Sequence, residues 1–247
     1  MPAWRASIRG RRDGSKTDRS VALVGIIFVL RSGIPWEMLP REFGCSGMTC
    51  WRRLRDWQTT GVWARLHRVL LERLSDAGHL DWSRASLDSA AIAAKKGGAE
   101  TGPNPTDRGK PVTKRHLVVD RRGTPLGVRL SPANRHDSMM LAPTLDAVLG
   151  VRHGRGRPRK LHADKAYDHG RCRSECRKRA IKPRTARRGI DSSERLGRHR
   201  WVVERTLAWL NRFHRLAIRY EWRADIHEAF VILGCALICL NQIRRIC

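Results

Sequence analysis

The spacing of apolar residues divides the chain into a helical part and a part with mixed elements. Up to about residue 80, apolar residues recur at intervals of three and four, which is typical of amphipathic helices. In the segment 48–74, Trp51, Leu54 and Trp57 begin such a stripe, and Gly61 allows a break between two helices. The first third of the chain is therefore predicted to be helical.

Two segments are mainly apolar. They cover residues 21–30 and 229–243, and the second contains Asn241 and Gln242. Both are too short to span a bilayer, which takes roughly 20 residues. We interpret them as buried helices. The basic start of the chain lacks the pattern of a secretory signal, so we expect no membrane association.

From about residue 84 the pattern changes to short runs compatible with β-strands, separated by turn residues. The predicted strands cover residues 84–94, 114–120, 124–131, 159–167 and 181–185, and the predicted helices among and after them cover 138–151, 170–180 and 196–213. Three strands that form a meander, followed by alternating helices and strands, indicate an α/β domain with a mixed sheet. We therefore predict a helical domain at 1–80 and an α/β domain at 81–247.

The helical domain has the layout of a DNA-reading helix-turn-helix. A turn-rich connector at 31–47 leads into the next helix, and Ser46 or Thr49 is suited to cap that helix. The helix carries three arginines, Arg52, Arg53 and Arg55. A helical bundle with solvent-facing arginines explains the same pattern equally well.

The charge balance points to a polyanionic partner. The chain has 50 Lys and Arg residues against 23 Asp and Glu residues, a formal net charge of +27 and an isoelectric point near 11.4. Basic groups placed on phosphates release condensed counterions, so such an excess favours nucleic-acid binding. The Gly- and Pro-rich loop at 95–111, which begins with Lys95 and Lys96, is a candidate DNA contact, although an ordinary exposed loop has the same composition.

The cysteines indicate a reducing compartment. Seven cysteines at irregular spacing do not form a disulfide framework, so we expect a cytoplasmic protein. Cys172 and Cys176 are four residues apart, as are Cys235 and Cys239. Neither pair has a second close pair of ligands, so a zinc site is not favoured.

Three acidic residues are candidates for catalysis. Asp88 lies in the middle of the first predicted strand, where a carboxylate is costly unless it is paired or bound to a cation. Asp164 lies at the end of the fourth strand, and Glu204 lies in the helix at 196–213 among arginines. If the first and fourth strands are neighbours, the three carboxylates converge and need a countercharge. Two magnesium ions would supply it and promote phosphodiester chemistry.

Other interpretations of these acids remain open. An acid among arginines on a helix is usually a solvated ion pair, which is the alternative for Glu204. Asp120, Asp137 and Asp168 compete for a catalytic role, but each is interpreted first as a turn or cap residue.

Several motifs together resemble a known family, the DDE transposases of bacterial insertion sequences, in the branch named after insertion sequences four and five. In the N-terminal part the similar segments are IPWEMLPREFG, GMTCWRRLRDWQ and GVWARLHRVLL. In the second part they are residues 87–120, SPANRHDS, LHADKAYD and RLGRHRWVVERTLAWLNRFHRL. The resemblance implies a ribonuclease-H-like fold in which Asp88, Asp164 and Glu204 bind the metal ions.

One departure from the wider superfamily concerns the signature around the glutamate, which consists of Tyr, Arg, Glu and Lys at fixed spacing. Arg200 and Glu204 fit it, but Gly197 stands at the Tyr position and Asn211 at the Lys position. The roles of those two side chains do not transfer to this chain. Arg212, next to Asn211, is a candidate substitute for the Lys.

The resemblance implies a transposase that binds the inverted-repeat ends of its element, cuts there and joins the 3′ hydroxyls to target DNA. We expect two Mg²⁺ or Mn²⁺ ions, double-stranded DNA as the partner, a homodimer on paired ends and no small-molecule substrate. The alternatives are a nuclease of the same fold without strand transfer and an inactive DNA-binding copy. The predicted DNA contacts are Arg52, Arg53, Arg55, Lys95, Lys96, Lys114, Arg115, Lys165, Arg200, Arg205 and Arg212.

Overall fold

The computed structural model describes residues 19–151, 156–185 and 193–246, with side chains in the last range described from Arg200 onward. The helices are α1 (Arg19–Ser32), α2 (Gly47–Thr59), α3 (Val62–Asp76), α4 (Leu141–Asp146), α5 (Gly170–Lys178), α6 (Ser193–Asn211), α7 (His214–Ala217) and α8 (Ala224–Ile243). The strands are β1 (Ala85–Ala93), β2 (Gly102–Pro103), β3 (Pro111–Asp120), β4 (Pro125–Pro132), β5 (Lys160–Ala163) and β6 (Lys182–Thr185).

All six strands belong to one mixed sheet with β1 at its centre. β3 pairs antiparallel with β1 on one side, and β4 pairs antiparallel with β3. On the other side β5 runs parallel to β1, and β6 runs parallel to β5. The order β4-β3-β1-β5-β6, with an antiparallel meander followed by two parallel strands, is the ribonuclease-H-like arrangement. The predicted fold class is confirmed.

The predicted elements agree with the observed ones except in three places. The strand predicted at 159–167 ends at Ala163, and Lys165–Tyr167 form a 3₁₀ turn. The two-residue strand β2, which pairs with β3 beyond the end of β4, was not predicted. The helix predicted at 138–151 is only Leu141–Asp146, because the chain then turns back and the amide of Leu149 donates to the carbonyl of Leu126 at 3.2 Å. Contact with the sheet replaces the last helical turns.

The N-terminal helices are set by local chemistry that the sequence shows. Ser46 caps α2, since its hydroxyl accepts the amide of Thr49 at 3.1 Å. Gly47 follows because a Cβ there would lie 1.8 Å from the carbonyl oxygen of Trp36. Gly61, with a φ of 70°, makes the break between α2 and α3.

The helices before residue 80 and the sheet share a hydrophobic core. Ile26 of α1 and Leu54 of α2 belong to the same buried cluster as Leu117 of β3 and Phe230 of α8. α8 also packs along α3. The predicted division at residue 80 stays a prediction, and this packing holds the helices that precede it against the sheet.

Both apolar segments form buried helices, as predicted. In α1, Ala22, Ile26 and Val29 are fully buried. α8 is long and apolar enough to cross a bilayer by length and composition, but most of its residues are buried inside the protein. Its apolar character is explained by packing against α3, α2 and β4.

A buried histidine makes stability depend on pH. His67 of α3 is 2% exposed, and its Nε2 lies 2.8 Å from the carbonyl oxygen of Pro125. Burial lowers the pKa of His67 from 6.5 to about 4. The unfolded chain therefore binds a proton first as the pH falls below 6.5, and the native state loses stability until about pH 4.

We predict that His67→Gln flattens this dependence, because Gln retains an N–H donor but does not titrate. Urea unfolding near pH 7.5 and pH 5 should show that His67 accounts for about 2 kcal/mol of the wild-type loss. His214→Gln, at an exposed position, is the control and should leave the loss unchanged. An unchanged pH dependence in His67→Gln would contradict the assignment.

Candidate active site

The sheet aligns two of the predicted acids. Parallel pairing matches Ala85 of β1 with Leu161 of β5 and Ser86 with His162. Continued by two residues, this register places Asp88 level with Asp164. Side chains at matched positions of neighbouring strands point to the same face. The extended register therefore places the two carboxyl groups on the same face of the sheet, with Asp164 just past the end of β5.

Each of these carboxyl groups is anchored by the backbone. Asp88 is 9% exposed, and its Oδ1 accepts the amide of Ser89 at 2.8 Å. Asp164 directly follows β5, and its Oδ1 accepts the amide of Ala166 at 2.9 Å, which starts a short 3₁₀ turn. The end of β5 thus fixes the direction of Asp164.

The electrostatics of Asp164 depends on its charged neighbours. Burial raises the pKa of the Asp164 carboxyl, and the negative charge of Asp88 raises it further. Arg200 lowers this pKa, and Asp137 contributes a smaller increase. Asp164 therefore lies in a field of negative charge that Arg200 only partly compensates.

Arg200 of α6 joins the third acid to this pair. α6 packs against β1, β3 and β5. The Nη2 atom of Arg200 lies 3.0 Å from Oδ2 of Asp88 and 3.4 Å from Oε1 of Glu204, one helical turn further on. The Glu204 side chain is 57% exposed and the Asp88 side chain 12%. Glu204 therefore has both properties considered from the sequence, an ion pair with an arginine and a position beside Asp88.

The carboxylates fit a hard divalent cation in part. Asp88 and Asp164 present adjacent oxygen ligands of the kind that Mg²⁺ and Mn²⁺ prefer. In the ranges that the structure describes, no group of three or more His, Cys, Asp or Glu side chains is close enough to hold a metal ion. The guanidinium of Arg200 contacts both Glu204 and Asp88. Glu204 therefore becomes a metal ligand only if the Arg200 side chain moves away from these carboxylates. The shared binding of metal by all three acids stays a prediction.

Asp137, one of the competing acids named from the sequence, is a neighbour of the site. It begins a 3₁₀ turn, as the turn interpretation expected, but its carboxylate also accepts from Nζ of Lys114 at 2.8 Å and Oγ of Ser89 at 2.9 Å. Ser89 follows Asp88 on β1, so this cluster lies on the other face of the sheet. The position of Asp137 shortly after β4 brings its carboxylate to Lys114 of β3 and Ser89 of β1.

The other competing acids serve local structure. Asp120 accepts backbone amides of Asp81, Arg122 and Thr124 and thereby shapes the hairpin between β3 and β4. Asp168 pairs with Arg173 at the start of α5. Both agree with their interpretation as turn residues.

The predicted DNA contacts differ in exposure. Arg55 is held by Asp56 at 2.7 Å and lies over the ring of Trp51. Lys114 is held by Asp137. Arg53 is partly buried, and the exposed positions are Arg52, Lys95, Lys96, Lys165 and Arg212. The contacts of these residues with DNA stay predictions.

Arg115 requires a correction. It is 0% exposed, and burial lowers its pKa to about 10. Its Nη2 donates to Oδ1 of Asn211 at 2.5 Å. The side chain lies beneath α6 and is therefore not available as a DNA contact. Asn211, at the signature's Lys position, is directed to Arg115. The surroundings of Gly197, at the Tyr position, lie outside the described residues.

Arg205 is enclosed by aromatic rings. Its guanidinium carbon lies 4.5 Å from the ring centre of Trp201 and 4.6 Å from that of Trp209, and its Nη2 donates to the carbonyl of Arg122 at 2.6 Å. Trp201, Arg205 and Trp209 thus form a stripe along α6, and this stripe does not include Arg200 or Glu204.

The cysteine pairs are buried in the core. Burial raises the pKa of Cys176 to about 11 and that of Cys235 to about 12. Within the protein these cysteines are therefore uncharged thiols packed in the hydrophobic core.

Two parts of the sequence match families of known proteins. Residues 79–240, more than half of the chain, match the family described as "Transposase DDE domain". The chain belongs to this family. Residues 1–67 match a second family, described as "Putative transposase of IS4/5 family". The resemblance predicted from the motifs is therefore confirmed, and the protein is a transposase of the IS4/5 group with a DDE-type catalytic domain.

Relatives of this transposase include two insertion-sequence proteins. "Putative transposase for insertion sequence element IS402" of Burkholderia cepacia is 51% identical over 153 residues, which cover 60% of this chain and 72% of that protein. "Putative transposase for insertion sequence element IS6501" of Brucella ovis is 32% identical over 135 residues, or 52% and 98% of the two chains. Among solved structures, the catalytic core domain of HTLV-2 integrase in complex with magnesium aligns over 61% of this chain and 84% of that chain, at 17% identity and a TM-score of 0.38.

Arg200 should compete with divalent cations for the carboxylates of this transposase. Removing its charge should raise the affinity for Mn²⁺ by about fivefold, the order of one ion pair near solvent. Isothermal titration calorimetry on Arg200→Gln and wild type measures the change. Arg205→Gln, which removes the same charge from the same helix, is the control. Equal or weaker binding by Arg200→Gln alone would show that Arg200 does not occupy the cation's place.

Proposed function

We propose that this transposase binds the terminal inverted repeats of its insertion sequence, cuts at them and transfers the freed 3′ hydroxyls to target DNA. The observation that carries the proposal is the alignment of Asp88 with Asp164 at the centre of the sheet, with Glu204 joined to Asp88 through Arg200. In a chain of the DDE family, these three carboxylates are the residues that would hold two Mg²⁺ or Mn²⁺ ions.

The chemistry consists of two exchanges of one P–O bond for another. Water attacks the phosphodiester at the element's end, which breaks the bond to the 3′ oxygen and frees a 3′ hydroxyl. That hydroxyl then attacks a phosphodiester of the target, whose own 3′ oxygen leaves. Bound divalent cations supply Lewis-acid stabilisation of the attacking and leaving oxygens. Neither step requires an outside source of energy, since the number of P–O bonds is conserved.

The residues of the chain hold the reacting groups in place. The backbone bonds of Asp88 and Asp164 fix two carboxylates before any ligand arrives. Glu204 is exposed on α6 and adjusts through its ion pair with Arg200. Once released from the carboxylates, the guanidinium of Arg200 would be close enough to hold a DNA phosphate.

DNA recognition is divided between two surfaces in this proposal. The three arginines of α2, of which Arg52 is exposed, would read the element's ends, and the basic side chains around the sheet would contact phosphates. The net charge of +27 supports double-stranded DNA as the partner. Paired ends favour a homodimer, and we place its activity on DNA in the bacterial cytoplasm.

A nuclease of the same fold that cuts without joining is the main alternative. Both would use the same carboxylates, and only the second exchange separates them. A joining assay with a precleaved end and a target plasmid therefore decides between the two.

Glu204→Gln tests the catalytic assignment. It preserves shape but removes the charge that would bind a cation, so cleavage and joining should fall by a factor of about 100 or more while end binding persists. Glu228→Gln is the matched control, since Glu228 is also a helical Glu paired with an arginine, Arg129, at 3.3 Å. Near-normal turnover by Glu204→Gln would remove Glu204 from the active site.

Replacing Arg52, Arg53 and Arg55 together by Gln tests end recognition by α2. The triple variant should lose discrimination between element ends and random DNA more than it loses overall affinity. The control replaces three exposed arginines of α3, Arg65, Arg68 and Arg73. It removes the same charge and should weaken binding to both DNAs alike. The same behaviour in both triple variants would show that α2 contributes charge rather than recognition.

A further inference from the structure

Two cysteines outside the proposed active site are in contact at the start of α2. The Sγ atoms of Cys45 and Cys50 lie 3.1 Å apart and share a hydrogen bond. Cys45 is partly buried, whereas Cys50 is 0% exposed. A thiol that solvent can reach, with a second thiol in contact behind it, is the arrangement from which a disulfide forms.

The contact follows from the way in which α2 begins. Ser46 is the N-cap, and its hydroxyl accepts the amide of Thr49 at 3.1 Å. Cys45 therefore precedes the cap, and Cys50 occupies the fourth position of the helix. In capped helices these two positions often hold apolar side chains that pack on each other, an arrangement called the hydrophobic staple. In this chain two thiols make that contact.

α1 covers the sulfur pair from the other side. A Cβ at Gly25 of α1 would lie 2.6 Å from the Sγ of Cys50 and 3.7 Å from that of Cys45. The Sγ of Cys45 also lies 3.9 Å from the carbonyl oxygen of Val21. The close approach of α1 leaves the two thiols little room to separate.

The two thiols differ in access and in acidity. Cys45 lines an open groove of about 630 Å³ beside the start of α2, together with Arg41 and Met48, and Cys50 does not line it. The hydrogen bond from Cys50 lowers the pKa of the Cys45 thiol, while the same bond and burial raise the pKa of Cys50. The thiolate is the reactive form of cysteine, so Cys45 is the attacking group.

We propose that Cys45 and Cys50 form a redox site in which hydrogen peroxide converts the two thiols to a disulfide. The Cys45 thiolate attacks one oxygen of the peroxide, which breaks the O–O bond and gives a sulfenic acid and hydroxide. The hydroxide takes up the proton that Cys45 had released. The Sγ of Cys50 then bonds to that of Cys45, and the sulfenic hydroxyl leaves as water with the Cys50 proton. The two thiols lose two electrons, and the peroxide is reduced to two waters.

The disulfide would replace a packing contact by a covalent bond. It would thereby fix the connector before the helix that carries Arg52, Arg53 and Arg55. The redox site does not rest on the proposed function, because neither DNA nor a metal ion takes part in the chemistry.

Peptide mapping tests the site in the full chain. Reduced protein is treated with hydrogen peroxide, unfolded, alkylated with iodoacetamide and digested with trypsin. Residues 42–52 form one tryptic peptide that contains both Cys45 and Cys50, and residues 224–244 form another that contains Cys235 and Cys239. The first peptide should lose its alkylation at least about tenfold faster than the second, whose two thiols are 0% exposed. Dithiothreitol before alkylation should restore it.

Two variants and one condition separate the disulfide from other products. In Cys50→Ser the oxidation of Cys45 should stop at the sulfenic acid, which dimedone traps. In Cys45→Ser the buried Cys50 should remain a free thiol. In wild type unfolded by urea before the peroxide is added, the difference in rate between the two peptides should disappear, because the fold no longer determines access and acidity.

The urea midpoint tests whether the bond fits the fold. Oxidised wild type should unfold at a higher urea concentration than reduced wild type, because the bond restricts the unfolded chain. The double variant Cys45→Ser/Cys50→Ser, treated in the same way, gives the effect of oxidising other side chains such as Met48, which is 55% exposed.

Three results would overturn the proposal. They are full alkylation of both cysteines in peptide 42–52 after peroxide treatment, equal rates for the two peptides in native protein, and a midpoint that falls in wild type but not in the double variant. Each would show that the two thiols serve only as a packing contact at the start of α2.

Discussion

The parallel pairing of β1 with β5 is the constraint on which the rest of the site depends. It places two acidic side chains at matched positions in the middle of a mostly buried sheet. Burial raises the pKa of the Asp164 carboxyl and the negative charge of Asp88 raises it further, and adjacent buried carboxylates destabilise a fold unless a positive charge compensates them. Arg200 supplies that charge in this structure. A divalent cation would supply more positive charge than Arg200 does, so the carboxylates at this position of the sheet favour cation binding.

The packing of α6 brings the compensating charge of Arg200 to the carboxylates. Its apolar side, with Val203, Leu207 and Leu210, is buried against the core. This places Arg200 and Glu204, one turn apart, beside Asp88. The neighbouring stripe of Trp201, Arg205 and Trp209 is thereby turned away from the carboxylates. One helix thus carries the candidate active-site residues on one side and this aromatic stripe on the next.

The sequence predicted most of the elements because these depend on local patterns, and the shared role of the three acids stays a prediction. Strand and helix periods, the Ser46 cap and the break at Gly61 are all short-range features. It did not predict the burial of Arg115 or the contacts of Asp137. β3 is covered on both faces, so alternation does not reveal which of its side chains are exposed. Asp137 reaches Ser89 only because β4 returns beside β3, a contact over 48 residues.

The measurement that tests the central claim most directly is calorimetric titration of Mn²⁺ into wild type and Asp164→Asn. Asp164 directly follows β5, and we expect its substitution to abolish detectable cation binding while the fold is retained. Asp168→Asn, four residues further on and paired with Arg173, should bind as wild type does. Undiminished Mn²⁺ binding by Asp164→Asn would show that the paired strands do not form the cation site.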